Sequence, residues 1–348
     1  MAGAINILLT PGGIPLVPAM LASFQRSTRY KTRVIVADCN PASGHLFSSL
    51  VDARYTIPPI TAANYIETMI RLIRKEKIAF WLSLLDIEQP LLAEHVREIE
   101  ETGCILLRKP LPQFCNALDK SFVYKQLMDK INMPAMFFMD SEFNAKKVWS
   151  DLNGELIIKV CNSSGARNIF IPEDYDEYNF YIKKAKKHTD KTGALFVIQE
   201  IIKGDEYNTS MLHDKEGKYI YAVSRRKFEK RIIKNTTIAA AVEINSDVIG
   251  QSLEIVNCLS LFPGLNNIET IVSHADHKPY FIEINAGRTA AQDMNLIAAG
   301  INITDLLIDL ALDKPCTQLA HPANGTAILK VLSDVVVSLQ DVQSVPKI

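Results

Sequence analysis

Across the first 110 residues, short apolar runs alternate with longer amphipathic stretches, and this alternation narrows the possible folds more than any other feature. The pattern predicts strands over residues 5–10, 34–37, 79–84 and 104–107, with helices over 16–26, 62–75 and 88–102 between them. Ile66, Met69, Ile70 and Ile73 share one helical face. Strand–helix alternation of this kind implies an α/β unit, a parallel sheet covered on both sides. Pro110 and Pro112 punctuate a boundary. Beyond it the pattern changes. Residues 121–131 read as a helix, 156–160 and 169–171 as neighbouring strands around a small-residue loop, and 174–187 as a helix with a lysine face. Strand-like stretches follow at 196–201, 207–212, 219–224, 238–245, 268–273 and 280–284. Helices at 248–261, 290–299 and 304–312 are interleaved with them, and a last strand is expected at 327–332. Strands in runs broken by helices imply an α+β module.

Charge and motifs exclude several classes. Lys and Arg number 38 against 39 Asp and Glu, a net charge of −1, which argues against a protein built to coat nucleic acid or an anionic membrane. Residues 1–25 carry no charge, but Pro11, Pro15 and Pro18 break the run short of a membrane span and no basic segment precedes it. Six cysteines without a C-x-x-C pair read as buried thiols in a reducing compartment, so a cytoplasmic location is expected. Neither G-x-x-x-x-G-K-[ST] nor G-x-G-x-x-G occurs. Gly12-Gly13 with Asp38 therefore reads as a tight turn and a capping carboxylate, which disfavours an NAD-dependent oxidoreductase. His274 and His277 read as part of a hairpin turn rather than a metal site.

Four features of the second module carry chemistry together. Glu283 and Asn285 stand two apart on a predicted strand, so their oxygens share a face, and Glu269 on the preceding strand adds a third donor. Hard oxygens of this kind suit Mg²⁺, although a surface pair would look the same. Lys159 ends an apolar strand, where it must snorkel out or meet an anion. Ser163, Ser164 and Gly165 follow in a loop small enough to approach phosphates or to make a plain hairpin turn. Gln199, Glu200 and Ile202 end a strand that can offer backbone groups to a purine edge, and Glu206 follows as a carboxylate for ribose hydroxyls. Lys120 heads a helix behind Asp119, where an ammonium and a helix N-terminus both attract phosphate. Asp86 and Glu88 follow a strand of the first unit at its carboxyl end, where open α/β sheets place ligands; a helix cap at Asp86 explains the pattern equally well.

In this order and spacing the residues resemble the ATP-grasp superfamily, with the closest likeness to one half of the carbamoyl phosphate synthetase large subunit. The resemblance covers essentially the whole chain. It implies a Rossmann-like preATP-grasp domain over 1–112 and an ATP-grasp core of two α+β subdomains over 113–320. The smaller, lid-bearing one would span 113–195 and the larger 196–320, with a strand and tail over 321–348. It also implies ATP with Mg²⁺, two ions expected and Mn²⁺ as an alternative, and ADP-forming ligation of a small carboxylate, such as an amino acid or sugar acid, to an amine through an acylphosphate. On this pattern Lys120 and Lys159 would contact phosphates and Ser163, Ser164 and Gly165 would cover them. Gln199, Glu200 and Ile202 would line the adenine site, Glu206 would hold the ribose, and Glu269, Glu283 and Asn285 would ligate the metal. Arg288 would clamp the transferred phosphate, with Arg225 as second candidate, because Arg288 lies three residues after Asn285 where many relatives have two. Asp86 and Glu88 would touch the acceptor. A homodimer is an expected assembly. A carboxylase or kinase on the same core, or a nucleotide-binding protein without chemistry, are the rival readings.

Overall fold

A computed structural model describes residues 3–162, 169–230, 237–290, 293–331 and 334–348. The predicted Ser163, Ser164 and Gly165 lie outside these.

The first unit is a five-stranded parallel sheet of β1 (Ile5–Thr10), β2 (Thr32–Asp38), β3 (Ala53–Thr56), β4 (Phe80–Ser83) and β5 (Ile105–Leu106) in the order β3-β2-β1-β4-β5. Its two faces are apolar because both are covered. Ile7, Leu9, Val34 and Val36 pack towards the helix Val17–Gln25, and Leu8, Ile35, Ala37 and Trp81 towards the helix Tyr65–Glu76. Gly13 donates its amide to Asp38 at 2.7 Å, so the glycine pair and the aspartate form the expected turn.

A second sheet holds β6 (Met136–Phe138), β7 (Leu156–Val160), β8 (Ile169–Phe170) and β9 (Phe196–Glu200) in the order β6-β9-β7-β8, all antiparallel. One face, with Leu156, Ile158, Val160, Phe196 and Ile198, packs on the helix Tyr175–Thr192. The alternate positions, Lys159 and Gln199 among them, therefore face the other way.

Residues 201–203 lead into the third sheet. It consists of β10 (Gly204–His213), β11 (Tyr219–Lys230), β12 (Thr237–Val242), β13 (Gly264–Ser273), β14 (Pro279–Ala286) and β15 (Ala327–Leu329), in the order β14-β13-β10-β11-β12-β15. Met211, Ala222, Ile268, Ile284 and Ala286 bury one face against the helices Ser246–Cys258 and Lys120–Leu127. At one end of the opposite face, Leu212, Tyr221 and Leu265 join the core that contains β1 and the helices Met294–Ala298 and Ile303–Ala311, which fuses this sheet to the first unit. The α/β unit followed by an α+β module is thus as the hydrophobic pattern predicts. The tail returns to the first sheet, where Thr56 donates to the Pro346 carbonyl at 2.8 Å. Among the described residues, no helix is long and apolar enough to cross a membrane.

Candidate active site

The same opposite face of the third sheet carries a polar grid, buried at Arg225, Asn208, Ser210 and Asn267 and half-buried at Glu269, Glu283 and Asn285. Register aligns Arg225 with Asn208, Asn208 with Glu269, and Glu269 with Glu283. Two residues along the strands, Ser210 aligns with Asn267 and Asn267 with Asn285. Antiparallel partners stand about 4.5–5.5 Å apart, so Glu269, Glu283 and Asn285 fall on one small area of one face. Glu206 shares that face, two residues before Asn208.

Two ammonium groups sit on these carboxylates. Lys227 bonds to Glu269 and lies 3.8 Å from Glu206. Lys120 reaches Glu283 at 3.0 Å from the first turn of its helix, whose N-cap Asp119 accepts from the Ser121 amide. Burial works against the Lys227 charge, but the surrounding Glu269, Glu206 and Glu283 outweigh it and hold its pKa above the ordinary lysine value. Sequence reasoning did not single out Lys227 because its role depends on pairing: it follows Arg226, which stands opposite Tyr207.

Arg288 reaches the same area. It bonds to the Asn285 amide oxygen, and its Nη1 lies 3.1 Å from Asp86. The wider spacing is resolved locally. Gly287 adopts φ +76°, a left-handed conformation that turns the chain back over Asn285. Asp86 is shared, because Arg108, only 4% exposed, donates to it at 2.8 Å and to the Ala286 carbonyl at 2.9 Å. Asp86 therefore braces the arginine beside the grid.

On the second sheet, Lys159 donates to Gln199 at 2.5 Å. Gln199 is buried, and its Nε2 finds no acceptor among the described residues. Glu200 grips Ala135 twice, receiving its amide on Oε2 at 3.1 Å and donating its own amide to the Ala135 carbonyl at 2.9 Å. Ile202 lies in the link to β10. The Lys120 amide donates to the Cys161 carbonyl at 3.1 Å, which brings the helix start to the end of β7. Burial raises the Cys161 thiol to about 12, so it stays protonated.

Two expected residues do not join this group. Arg225 is fully buried and paired with Asp293 at 2.8 Å, with Asn295 at 3.3 Å. Asp293 also accepts from Ser210 at 2.7 Å and from the Ala290 amide at 2.7 Å, so it ties the grid to the turn after Arg288. Glu88 is 1% exposed and accepts the hydroxyls of Thr10, Tyr65 and Ser83. It sits where β1 and β4 end side by side, filling the crevice at which an open parallel sheet takes a ligand. Burial holds its carboxyl above the usual range, opposed by those hydroxyls and by Arg108.

The donor set fits a divalent ion shared with phosphate. Among the described residues no three His, Cys, Asp or Glu side chains converge as a protein cage. Strand register puts two carboxylates and an amide oxygen on neighbouring positions of one face, and each already holds a cation, Glu283 Lys120, Glu269 Lys227 and Asn285 Arg288. One or two carboxylates with the remaining positions left to phosphate and water is the Mg²⁺ pattern.

Residues 117–291, half of the chain, match the family model for the ATP-grasp domain. The chain belongs to the ATP-grasp family. Residues 7–107 match a second model, the PylC-like N-terminal domain. No curated protein matches the sequence. Similar solved structures include the biotin carboxylase domain of 2-oxoglutarate carboxylase from Hydrogenobacter thermophilus, at 14% identity and TM-score 0.69 over 90% of this chain and 71% of that one. N5-carboxyaminoimidazole synthetase from Staphylococcus aureus gives 14% and 0.66 over 91% and 79%. L-amino acid ligase from Bacillus licheniformis gives 15% and 0.60 over 89% and 75%. These likenesses concern the fold, and they agree with a preATP-grasp unit followed by an ATP-grasp core.

Proposed function

We propose that this ATP-grasp enzyme is an ATP- and Mg²⁺-dependent, ADP-forming ligase that joins a small carboxylate to an amine. The observation that carries the reading is the register pair Glu269–Glu283 with Asn285, set among Lys120, Lys227 and Arg288 on one sheet face. Mg²⁺ held by Glu269, Glu283 and Asn285 would neutralise phosphate charge. Lys120 and Lys159 would contact the ATP phosphates, and Ser163, Ser164 and Gly165 would cover them. Gln199, Glu200 and the Ile202 backbone would line the base. Glu206 would take the ribose hydroxyls.

In the first step a carboxylate oxygen of the substrate attacks the γ-phosphorus, the bond to the bridging oxygen breaks, and ADP leaves. The amine nitrogen then attacks the acyl carbon, expels inorganic phosphate and releases a proton. This chemistry asks the protein for position and charge rather than a nucleophile. Arg288 is the better clamp for the transferred phosphate, because Arg225 is committed to Asp293. Asp86 then acts by orienting Arg288, and the burial of Glu88 supports a structural role rather than acceptor contact.

The proposed division is a preATP-grasp domain to residue 112, a core over 113–320 and a tail over 321–348. A cytoplasmic setting is part of the proposal; of the six cysteines expected to be buried, Cys104 and Cys161 are, while Cys39 and Cys258 are exposed. The test is Mg²⁺-dependent ADP and phosphate release with pooled carboxylates crossed with pooled amines, plus a bicarbonate arm. ADP formed only when one acid and one amine are both present supports the ligase. ADP that requires bicarbonate replaces it with a carboxylase, and ADP formed with the acid alone replaces it with a kinase.

A further inference from the structure

Every oxygen donor of the proposed metal site already carries a side-chain cation. Lys120 sits on Glu283 at 3.0 Å, Lys227 bonds to Glu269, and Arg288 bonds to the Asn285 amide oxygen. The three cations come from separate parts of the fold: the start of a helix, β11, and the turn after β14.

Lys227 differs from the other two in what it joins. Its ammonium bonds to Glu269, the expected metal ligand, and stands 3.8 Å from Glu206, the expected ribose carboxylate. Its side chain is only 10% exposed, so the acids rather than water hold the charge. Among the described residues, three cations thus stand against Glu206, Glu269 and Glu283 before any ligand arrives. A divalent ion entering alone must displace an ammonium or sit beside it, and like charges at such distances repel more strongly in a half-buried site than in water. A polyphosphate changes this balance, because it gives the same ammonium groups an anion to move to. Lysine can make that exchange without backbone movement, its charge riding on a flexible four-carbon stem.

We infer that Lys227 is a resident counter-ion of the metal site: it holds Glu269 and Glu206 in the free protein, opposes a divalent ion that comes alone, and turns to the phosphates when nucleotide and ion are both bound. The inference rests on the nucleotide and metal assignment proposed above and adds a coupling to it, since phosphate and metal then favour each other's binding reciprocally.

The probes are Mn²⁺ alone, followed by the electron paramagnetic resonance of the free ion, and ADP in EDTA or with Mg²⁺, followed by calorimetry on the full chain. The unaltered protein should bind ADP with Mg²⁺ and should bind Mn²⁺ alone no tighter than about 1 mM. Lys227→Met should move the separate ligands in opposite directions by about tenfold or more each. Mn²⁺ alone binds tighter because Glu269 is uncovered, and ADP in EDTA binds more weakly because the phosphates lose a cation. Lys227→Arg keeps the charge and should leave Mn²⁺ binding as weak as in the unaltered protein. A damaged fold weakens both ligands, so the opposed shifts are the signature. Shifts of one sign, no shift, or Mn²⁺ bound as tightly by Lys227→Arg as by Lys227→Met would each overturn the inference. So would Mn²⁺ binding to the unaltered protein tighter than about 1 mM, which needs no variant. If the unaltered protein binds ADP neither with nor without Mg²⁺, the nucleotide assignment falls and takes this inference with it. If it binds ADP with Mg²⁺ and the opposed shifts fail, only the role of Lys227 falls.

Discussion

Replacing Asp293, the residue before the helix Met294–Ala298, by alanine should be one of the most damaging single changes beside the third sheet. Both Asp293 and Arg225 are 0% exposed. The substitution removes the acceptor of three bonds, from Arg225 at 2.8 Å, Ser210 at 2.7 Å and the Ala290 amide at 2.7 Å. It strands a guanidinium whose Nε is already without an acceptor and whose other link is Asn295 at 3.3 Å. Breaking a buried pair from one side costs about 3–5 kcal/mol, because a charge is left in the interior. With an unfolding entropy of about 2.1 cal/mol/K per residue over the whole chain, that loss lowers Tm by roughly 4–7 °C. Urea titration followed by circular dichroism gives the free energy, and a thermal scan gives the shift. The double variant Arg225→Met with Asp293→Leu should recover most of the loss, since it removes the charge along with its partner. A loss under about 1 kcal/mol in Asp293→Ala, or a double variant worse than the single one, would refute the account.

Other consequences are as direct. Glu283→Ala and Asn285→Ala should abolish Mg²⁺-dependent ADP release while the circular dichroism spectrum stays that of the unaltered protein; retained turnover in both would remove the metal site. Gly287→Ala should cost about 1–2 kcal/mol from its positive φ alone, with further strain because a Cβ there would stand 3.0 Å from Arg108 Nε. An unchanged urea midpoint would show that the turn relaxes. Burial lowers the His213 pKa to about 4, so the unfolded chain takes up a proton first as pH falls below its unfolded value of about 6.5. Stability should fall by roughly 3 kcal/mol between those two pH values, and His213→Phe should flatten that slope. Burial raises the Glu88 pKa, so the stability it contributes below the unfolded value of about 4.3 is lost as pH rises through the folded value. Measured against Glu88→Gln, the unaltered protein should therefore lose ground on going from acid towards neutral pH, and parallel curves would contradict the assignment.

The parallel sheet was legible because β1, β2 and β4 are apolar runs buried on both faces, a pattern with few alternative readings. β3 was missed because Ala53-Arg54-Tyr55-Thr56 lies at an edge and mixes polar with apolar residues. β6, three residues long and following Pro134, was missed for the same kind of reason. In the candidate site, Glu283 and Asn285 could be paired from the sequence because a strand repeats every two residues. The position of Lys227 opposite the acids depends on strand pairing, and the burial of Arg225 depends on a partner 68 residues away. Glu88 looked available at a strand end because nothing local indicates that Tyr65, Ser83 and Thr10 enclose it.

The second sheet enters the fold and leaves it at one place. β6 and β9 are neighbours, and Ala135, just before β6, is bonded to Glu200, the last residue of β9, through both backbone and side chain. The two chain crossings therefore lie about one strand spacing apart, roughly 4.8 Å. Residues 136–199 thus form an insertion with adjacent ends. A short turn joining residue 135 to residue 200 would close the gap and leave every ladder of the other two sheets intact. Evolution could exchange such a segment as a cassette, refitting one wall of the cleft without redrawing the rest.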